Sequence, residues 1–132
     1  MWWPPAEEEN QLRHDNCLFC KIVHGEVQST EIYSDDQCMA FNDINPVANV
    51  HVIIVPRAHV TYLTGATEQH EQLLGHVMRI GARVASLTGI SESGYRIAVN
   101  QGVDASQIVD HLHLHVIGGG LLDKLGAPLR PS

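Results

Sequence analysis

Three histidines alternate with aliphatic residues in the run His111-Leu112-His113-Leu114-His115-Val116-Ile117. In an extended chain side chains repeat every two residues and the rise is about 3.3 Å per residue, so the three imidazoles are expected on one strand face at spacings of about 6.6 Å. Leu112, Leu114 and Val116 then face the core. Imidazoles placed in this way can hold a metal, or they can run nucleophilic and acid–base chemistry near neutral pH. The alternation by itself does not choose. Directly upstream, Asn100-Gln101-Gly102-Val103-Asp104-Ala105-Ser106-Gln107 supplies amide and hydroxyl donors that can wrap an oxyanion. Two further histidines flank the segment His51-Val52-Ile53-Ile54-Val55-Pro56-Arg57-Ala58-His59, and a second chemical group stands at Cys17-x-x-Cys20. A thiol pair at that spacing near a helix start puts both sulfurs on one face. In a reducing compartment such a pair is metal-binding or redox-active rather than half of a disulfide scaffold.

These groups need elements to hold them. Asp15 and Asn16 are N-cap types for a short helix from Cys17 to about His24, which Gly25 stops. Glu31–Tyr33 and Cys38–Phe41 read as strands joined by Ser34-Asp35-Asp36, and Asn42 to Pro46 reads as a loop. His51–Val55 is a continuous β-branched run suited to a strand buried on both faces, ended by Pro56. A long helix is expected from Thr67, with Leu73, Val77, Ile80, Val84 and Leu87 on one stripe and Gly89 as its C-terminal stop. Tyr95–Asn100 is a further strand, 101–109 a loop, and His111–Ile117 the last strand, broken by Gly118-Gly119-Gly120. The order of elements implies an α+β domain with a mainly antiparallel sheet and helices packed on it. Cys38 is expected to be a buried strand residue. His14, His24, His70 and His76 are expected to be solvated.

Bulk properties narrow the class. The chain has 132 residues, 44% of them apolar, which fits one domain spanning about 15–132 after a flexible tail at 1–14. A formal charge of −7 with only 8 Lys plus Arg argues against a duplex nucleic-acid partner, although a small phosphorylated ligand needs only local donors. The N-terminus carries no basic region and no long apolar run, so no membrane span or secretory leader is expected and a cytoplasmic location follows.

In order and spacing, Cys17-Leu18-Phe19-Cys20-Lys21-Ile22-Val23, Ala40-Phe41-Asn42-Asp43-Ile44, His51 to His59 and the histidine strand together resemble the histidine-triad (HIT) family over about residues 16–120. Val116-Ile117-Gly118-Gly119 resembles the ending found in its Hint branch. The resemblance implies a five-stranded HIT-like fold with two helices, its sheets joined edge to edge across a homodimer. It also implies hydrolysis or transfer at the α-phosphate of a purine nucleoside monophosphate derivative. By that resemblance His113 is the nucleophile and forms a nucleotidyl-histidine intermediate, with its tautomer set by a backbone carbonyl. His115 binds the phosphate oxygens, and His51 positions or protonates the departing group. Asp43, beside Asn42, takes the ribose hydroxyls, while Phe19, Ile22, Phe41 and Ile44 hold the base. Asn100, Ser106, Gln107 and Ile108 border the phosphate. Taken singly, the apolar members are ordinary core residues and Asp43 an ordinary turn carboxylate. Relatives with a Cys-x-x-Cys pair imply a structural zinc held by Cys17, Cys20, His59 and His111, which requires His111 to turn away from the face of His113.

One departure stands out. Where the family pattern has Gly-Gln-Ser or Gly-Gln-Thr, this chain has Ser106-Gln107-Ile108, so a hydroxyl near the phosphate is lost and a small glycine is replaced. Slower turnover or a changed leaving-group preference is the expected consequence. The segment from Leu121 to Ser132 also lacks the Trp-containing ending of Hint proteins. Two other readings remain at this point: a hydrolytic zinc site built from the triad itself, and a nucleotide- or partner-binding module with little catalysis.

Overall fold

The structure, a computed structural model, describes residues 16–125. The expected 1–14 tail and the proposed cap Asp15 lie outside them. The elements run α1 (Leu18–Val23), β1 (Glu31–Ser34), β2 (Cys38–Asn42), β3 (Val50–Pro56), α2 (Glu71–Leu87), β4 (Tyr95–Val99) and β5 (Leu114–Gly118). The five strands form one antiparallel sheet in the order β1-β2-β3-β5-β4.

The sheet is asymmetric because its strands alternate in step. On one face Cys38, Ala40, Val52, Ile54, Leu114 and Val116 pack against Val77, Ile80, Val84 and Ala85 of α2. On the other, Met39, Phe41, Ile53 and Val55 pack against Cys17, Phe19, Cys20 and Ile22 at and around α1. β3 is therefore buried on both faces, as its unbroken β-branched run requires. Gly81 permits the close approach of α2, since a Cβ there would stand 2.7 Å from Cδ1 of Ile97.

Several boundaries differ from expectation for identifiable reasons. α1 is capped not by Asn16 but by Cys17, whose sulfur accepts from the Cys20 N–H at 3.3 Å. Thr67 caps a 3-10 turn, Glu68–His70, that leads into α2. His70 is not solvated: it is 2% exposed, because its Nδ1 accepts from the Thr67 N–H at 2.9 Å and closes a reciprocal cap. His76 is half-buried against Asp35, 2.6 Å from its Oδ2. At the helix end, Gly89 has a φ of 80°, as its predicted stop role needs.

The main correction concerns the last strand. It begins at Leu114, so His111 and His113 precede it and the three imidazoles do not share one strand face. The register pairs Ile54 with Leu114, so the next ladder positions would set Pro56 opposite Leu112. Proline has no N–H to offer. The chain instead turns locally: His111 N–H donates to the Val109 carbonyl at 2.9 Å and Leu112 N–H to the Val60 carbonyl at 2.6 Å.

Candidate functional site

The site lies on the α1 side of the sheet and falls into two adjoining groups. The first is a buried cluster of Cys17, Cys20, His59 and His111, whose ligand atoms lie within 4.8 Å of one another. Cys17 Sγ is 3.3 Å from His111 Nδ1, and Cys20 Sγ is 3.2 Å from His59 Nδ1 and 3.7 Å from His111 Nδ1. In a tetrahedral zinc site with bonds of about 2.3 Å to sulfur and about 2.0–2.1 Å to nitrogen, sulfur–nitrogen separations come to about 3.5–3.6 Å. The observed spacings bracket that value. The far side of each ring also fits: His111 Nε2 donates to the Pro56 carbonyl at 2.9 Å, and His59 Nε2 lies 3.0 Å from Thr61 Oγ1. The carbonyl, which only accepts, leaves the His111 Nδ1 lone pair toward the thiols, and the Thr61 hydroxyl does the same for His59 when it accepts, the outer arrangement that orients ligating histidines. Two cysteines and two histidines form a donor set suited to zinc.

The second group is His51, His113 and His115 with Asp43. His113 is 6% exposed, and its Nδ1 lies 2.7 Å from the His111 carbonyl. A carbonyl only accepts, so Nδ1 carries the proton and Nε2 keeps its lone pair. The Phe19 ring stands edge-on to His113, centroids 4.9 Å apart at 75°, and limits where that ring can turn. His51 and His115 meet on a diagonal of the β3–β5 ladder, where His115 pairs with Ile53, and their Nε2 and Nδ1 atoms are 2.8 Å apart. The Val47 N–H donates to His51 Nδ1 at 3.1 Å, so neutral His51 carries its proton on Nε2 and gives it to His115 Nδ1. His115 then keeps its own proton on Nε2, which the Asn100 side-chain amide, 3.5 Å away, can accept only with its Oδ1 turned toward the ring. Asp43 Oδ2 is 3.3 Å from His51 Nε2, while Oδ1 accepts from Asn45 N–H at 2.8 Å.

Burial pushes all three imidazoles below the usual histidine value. For His113 the His111 carbonyl and Asp43 oppose that effect in part. For His51 Asp43 does so alone. His115, hemmed by burial and by the other two rings, is pushed down to about 4. The group is thus neutral at pH 7, as a lone-pair nucleophile requires.

Leu18, Phe19, Ile22, Phe41, Asn42, Asp43, Ile44, Ile108, Val109, His113 and His115 are among the residues that line one cavity of about 260 Å³. Val27, Gln28, Asn45 and Ile53 line it as well, and these four, with Leu18 and Val109, are wall residues that the sequence reading left out. His51 and Asn100 stand behind His115 rather than in the wall. Ser106 and Gln107 do not line it either. Gln107 closes its own loop, accepting from Gly102 N–H at 2.9 Å and donating to the Val109 carbonyl at 3.2 Å and the Thr61 carbonyl at 3.3 Å. Ser106 has a φ of 62°, in the region that favours glycine, which is the physical reason a glycine suits this position. The loop sets Ile108 on the cavity rim, 91% exposed.

A sequence model for the HIT domain matches residues 24–120. This chain belongs to the HIT family. It is 39% identical over 105 residues to an uncharacterised HIT-like protein of Synechocystis sp., covering 80% of this chain and 91% of that one. It is 36% identical over 105 residues to the purine nucleoside phosphoramidase of Escherichia coli, covering 80% of this chain and 88% of the relative. Among solved structures, the HIT family hydrolase from Legionella pneumophila Philadelphia 1 superposes with a TM-score of 0.82 at 35% identity, covering 85% of this chain and all of that one. A histidine triad protein from Clostridium difficile gives a TM-score of 0.83 at 36% identity, over 86% of this chain and 98% of that one.

Two other polar groups in this HIT domain resemble metal sites and are better explained otherwise. Asp43, His51 and His115 bring ligand atoms together, but His51 Nε2 carries a proton because its Nδ1 accepts from Val47. Asp35, Cys38 and His76 also converge, yet Asp35 already accepts from Gln37 N–H, Cys38 N–H and Tyr33 OH, each at 2.8 Å. Burial, with Asp35 nearby, pushes the Cys38 thiol up to about 12, so it stays protonated. That trio latches the β1–β2 turn to α2.

The His115 shift has a testable sign. The unfolded chain takes up the proton near the ordinary value of 6.5 and the folded chain only near 4, so the contribution of this group to stability is full above 6.5 and declines as pH falls to about 4. NMR titration is expected to show His115 neutral at pH 5.5. Protonation near 6.5 would contradict the buried three-ring arrangement.

Proposed function

We propose that this chain is a nucleotide hydrolase or transferase that acts at the α-phosphate of purine nucleoside monophosphate derivatives, phosphoramidates being the model case. The observation that carries the reading is the 2.7 Å bond from His113 Nδ1 to the His111 carbonyl, which leaves the Nε2 lone pair of a residue in the cavity wall available for attack. Kinship at 36% identity to a purine nucleoside phosphoramidase supports the substrate class.

In the first step the His113 Nε2 lone pair forms a bond to phosphorus while the P–N bond breaks. The amine keeps the electron pair and departs after taking up one proton from solvent at the cavity mouth. The nucleotidyl-histidine carries the positive charge on its ring, with the Nδ1 proton still held by the His111 carbonyl. In the second step water attacks phosphorus, the P–Nε2 bond breaks and one proton is released, so the cycle balances. His115 presents its Nε2–H to the phosphate oxygens, and His51 holds that tautomer in place. Asp43 takes the ribose hydroxyls, and Phe19, Ile22, Phe41 and Ile44 hold the base. Mass spectrometry after mixing with an adenosine phosphoramidate is expected to trap the nucleotidyl adduct on His113. His113→Ala is expected to abolish the adduct and lower kcat by at least about a thousandfold. Turnover that survives in this variant would defeat the assignment and favour a binding module with other chemistry nearby.

The runner-up, a hydrolytic zinc held by the three triad histidines, is disfavoured because both nitrogens of His111 are turned elsewhere, Nδ1 to the thiols and Nε2 to Pro56. We assign zinc instead a structural place at Cys17, Cys20, His59 and His111, with no step of the reaction passing through it. Purified protein is expected to hold one zinc per chain, and Cys20→Ser to lose it with a fall in Tm of several degrees. A Tm unmoved by chelation would remove this role.

A homodimer is part of the same reading. β4 is an edge strand with an exposed Tyr95 and half-buried neighbours, whereas the other edge, β1, is irregular where its register slips between Glu31 and Tyr33. Light scattering at micromolar concentration is expected to give twice the 14.5 kDa chain mass, and a monomer would exclude pairing through β4. No helix among the described residues is long and apolar enough to cross a membrane. All three cysteines lie among those residues and none is in a disulfide, which supports a cytoplasmic, reducing location.

A further inference from the structure

The thiol cluster is not sealed on every side. Cys17 and His59 line a second cavity, of about 360 Å³, which adjoins the first across Leu18, Ile108 and Val109. Exposure is graded through the cluster: Cys17 is 8% exposed, Cys20 is 2% exposed and His111 is wholly buried. A small molecule in this cavity therefore meets Cys17 before Cys20. The lining has no Lys or Arg and has the Asp110 carboxylate, so it repels an anion such as glutathione disulfide and admits neutral hydrogen peroxide. Cys20 Sγ stands within 4.8 Å of Cys17 Sγ, whereas Cys38 is buried on the opposite face of the sheet, against α2. Of the three cysteines, only Cys20 is placed to resolve an oxidised Cys17.

His111 joins that pair to the nucleophile. Its Nδ1 lies 3.3 Å from Cys17 Sγ and 3.7 Å from Cys20 Sγ, and its carbonyl accepts from His113 Nδ1 at 2.7 Å. The residue precedes β5 and has no place in the ladder with β3, so the cluster supplies support that a strand neighbour gives elsewhere. We propose that Cys17 and Cys20 form a peroxide-responsive switch: their oxidation to a disulfide empties the metal site and, through His111, slackens the hold on the His113 tautomer and lowers turnover. In the first step the Cys17 thiolate attacks a peroxide oxygen, the O–O bond breaks and hydroxide leaves, giving a sulfenic acid. The Cys20 thiolate then attacks that sulfur, the S–O bond breaks, a second hydroxide leaves and the disulfide forms. Two electrons have passed from the sulfurs to peroxide, and two protons from solvent turn both hydroxides into water. The sulfurs, no longer thiolates, release Zn²⁺.

The switch rests on the metal site and the reaction proposed for this chain, and its test separates them. Zinc-loaded full-length protein is treated with hydrogen peroxide and, in parallel, with glutathione disulfide. The readings are zinc freed to a colorimetric indicator, the Cys17–Cys20 bond by mass spectrometry, the His113 Nδ1–H signal by NMR, and turnover of an adenosine phosphoramidate. Peroxide is expected to free zinc in step with the disulfide, to broaden or erase the His113 signal, and to lower kcat by at least about tenfold. Dithiothreitol with added zinc is expected to restore all of these, and Cys38→Ala to respond as wild type does. Glutathione disulfide is expected to act at least about tenfold more slowly, because access limits exchange. Metal release with the His113 signal and turnover unmoved would overturn the coupling through His111. Loss of turnover without the disulfide, or zinc retained while turnover falls, would overturn the switch. Equal rates with the two oxidants would remove the selectivity assigned to the cavity. Wild-type protein that never turns over the amide would defeat the reaction, while metal release and the His113 signal still decide the switch.

Discussion

One residue holds the two halves of the site in relation to each other. His111 turns its side chain toward Cys17 and Cys20 and offers its main-chain carbonyl to His113, so a single backbone unit belongs to the thiol cluster and to the nucleophile's tautomer. It is wholly buried, and its remaining ring nitrogen is tied to Pro56. A shift of that peptide would alter the donor spacing on one side and the proton position on the other. The stretch before β5 is therefore where the chain stops being a strand and becomes a support.

Pro56 has a related dual effect. By lacking an N–H it ends the ladder opposite Leu112, and by offering a carbonyl it orients the His111 ring. The rest of the sheet obeys simple alternation, with α2 covering the Cys38, Ala40, Val52 and Ile54 face. The opposite face is left to α1, the cavity and the histidines. An apolar layer of several strands thus isolates the chemistry from the long helix, and burial keeps the imidazoles uncharged.

Much of this arrangement was legible in the chain. The apolar stripe of α2 follows from periodicity, except that Leu87 at its end is 48% exposed; the doubly buried β3 follows from its β-branched run, and the turn between β1 and β2 from Ser34, Asp35 and Asp36. Cys17 and Cys20 were legible as a pair from their own spacing, whereas their partners His59 and His111, and the separate fate of His111, came from the family resemblance; spacing placed all three imidazoles on one face. What stayed hidden depends on contacts between distant segments. Nothing local to Val47 shows that its N–H will set the tautomer of His51. Nothing around Gln107 shows that its amide will be used up inside the loop, and His70 looked solvated because a cap formed by a histidine is not the usual pattern. Ile108 read as a lost hydroxyl; only the geometry makes it a shared wall between two cavities.

The span between Cys17 and His111, 94 residues along the chain, carries one more consequence. A contact of such separation closes a loop around most of the domain, and closures of that kind come late in folding because little else compensates their entropy until the sheet exists. During synthesis Cys17, Cys20 and His59 leave the ribosome long before His111. Over that interval the nascent chain has three of the four donors, and α1 has no catalytic segment to dock against. The order of translation thus makes the last turn before β5 the final stitch, so the nucleophile takes its place only when nearly the whole domain has been made.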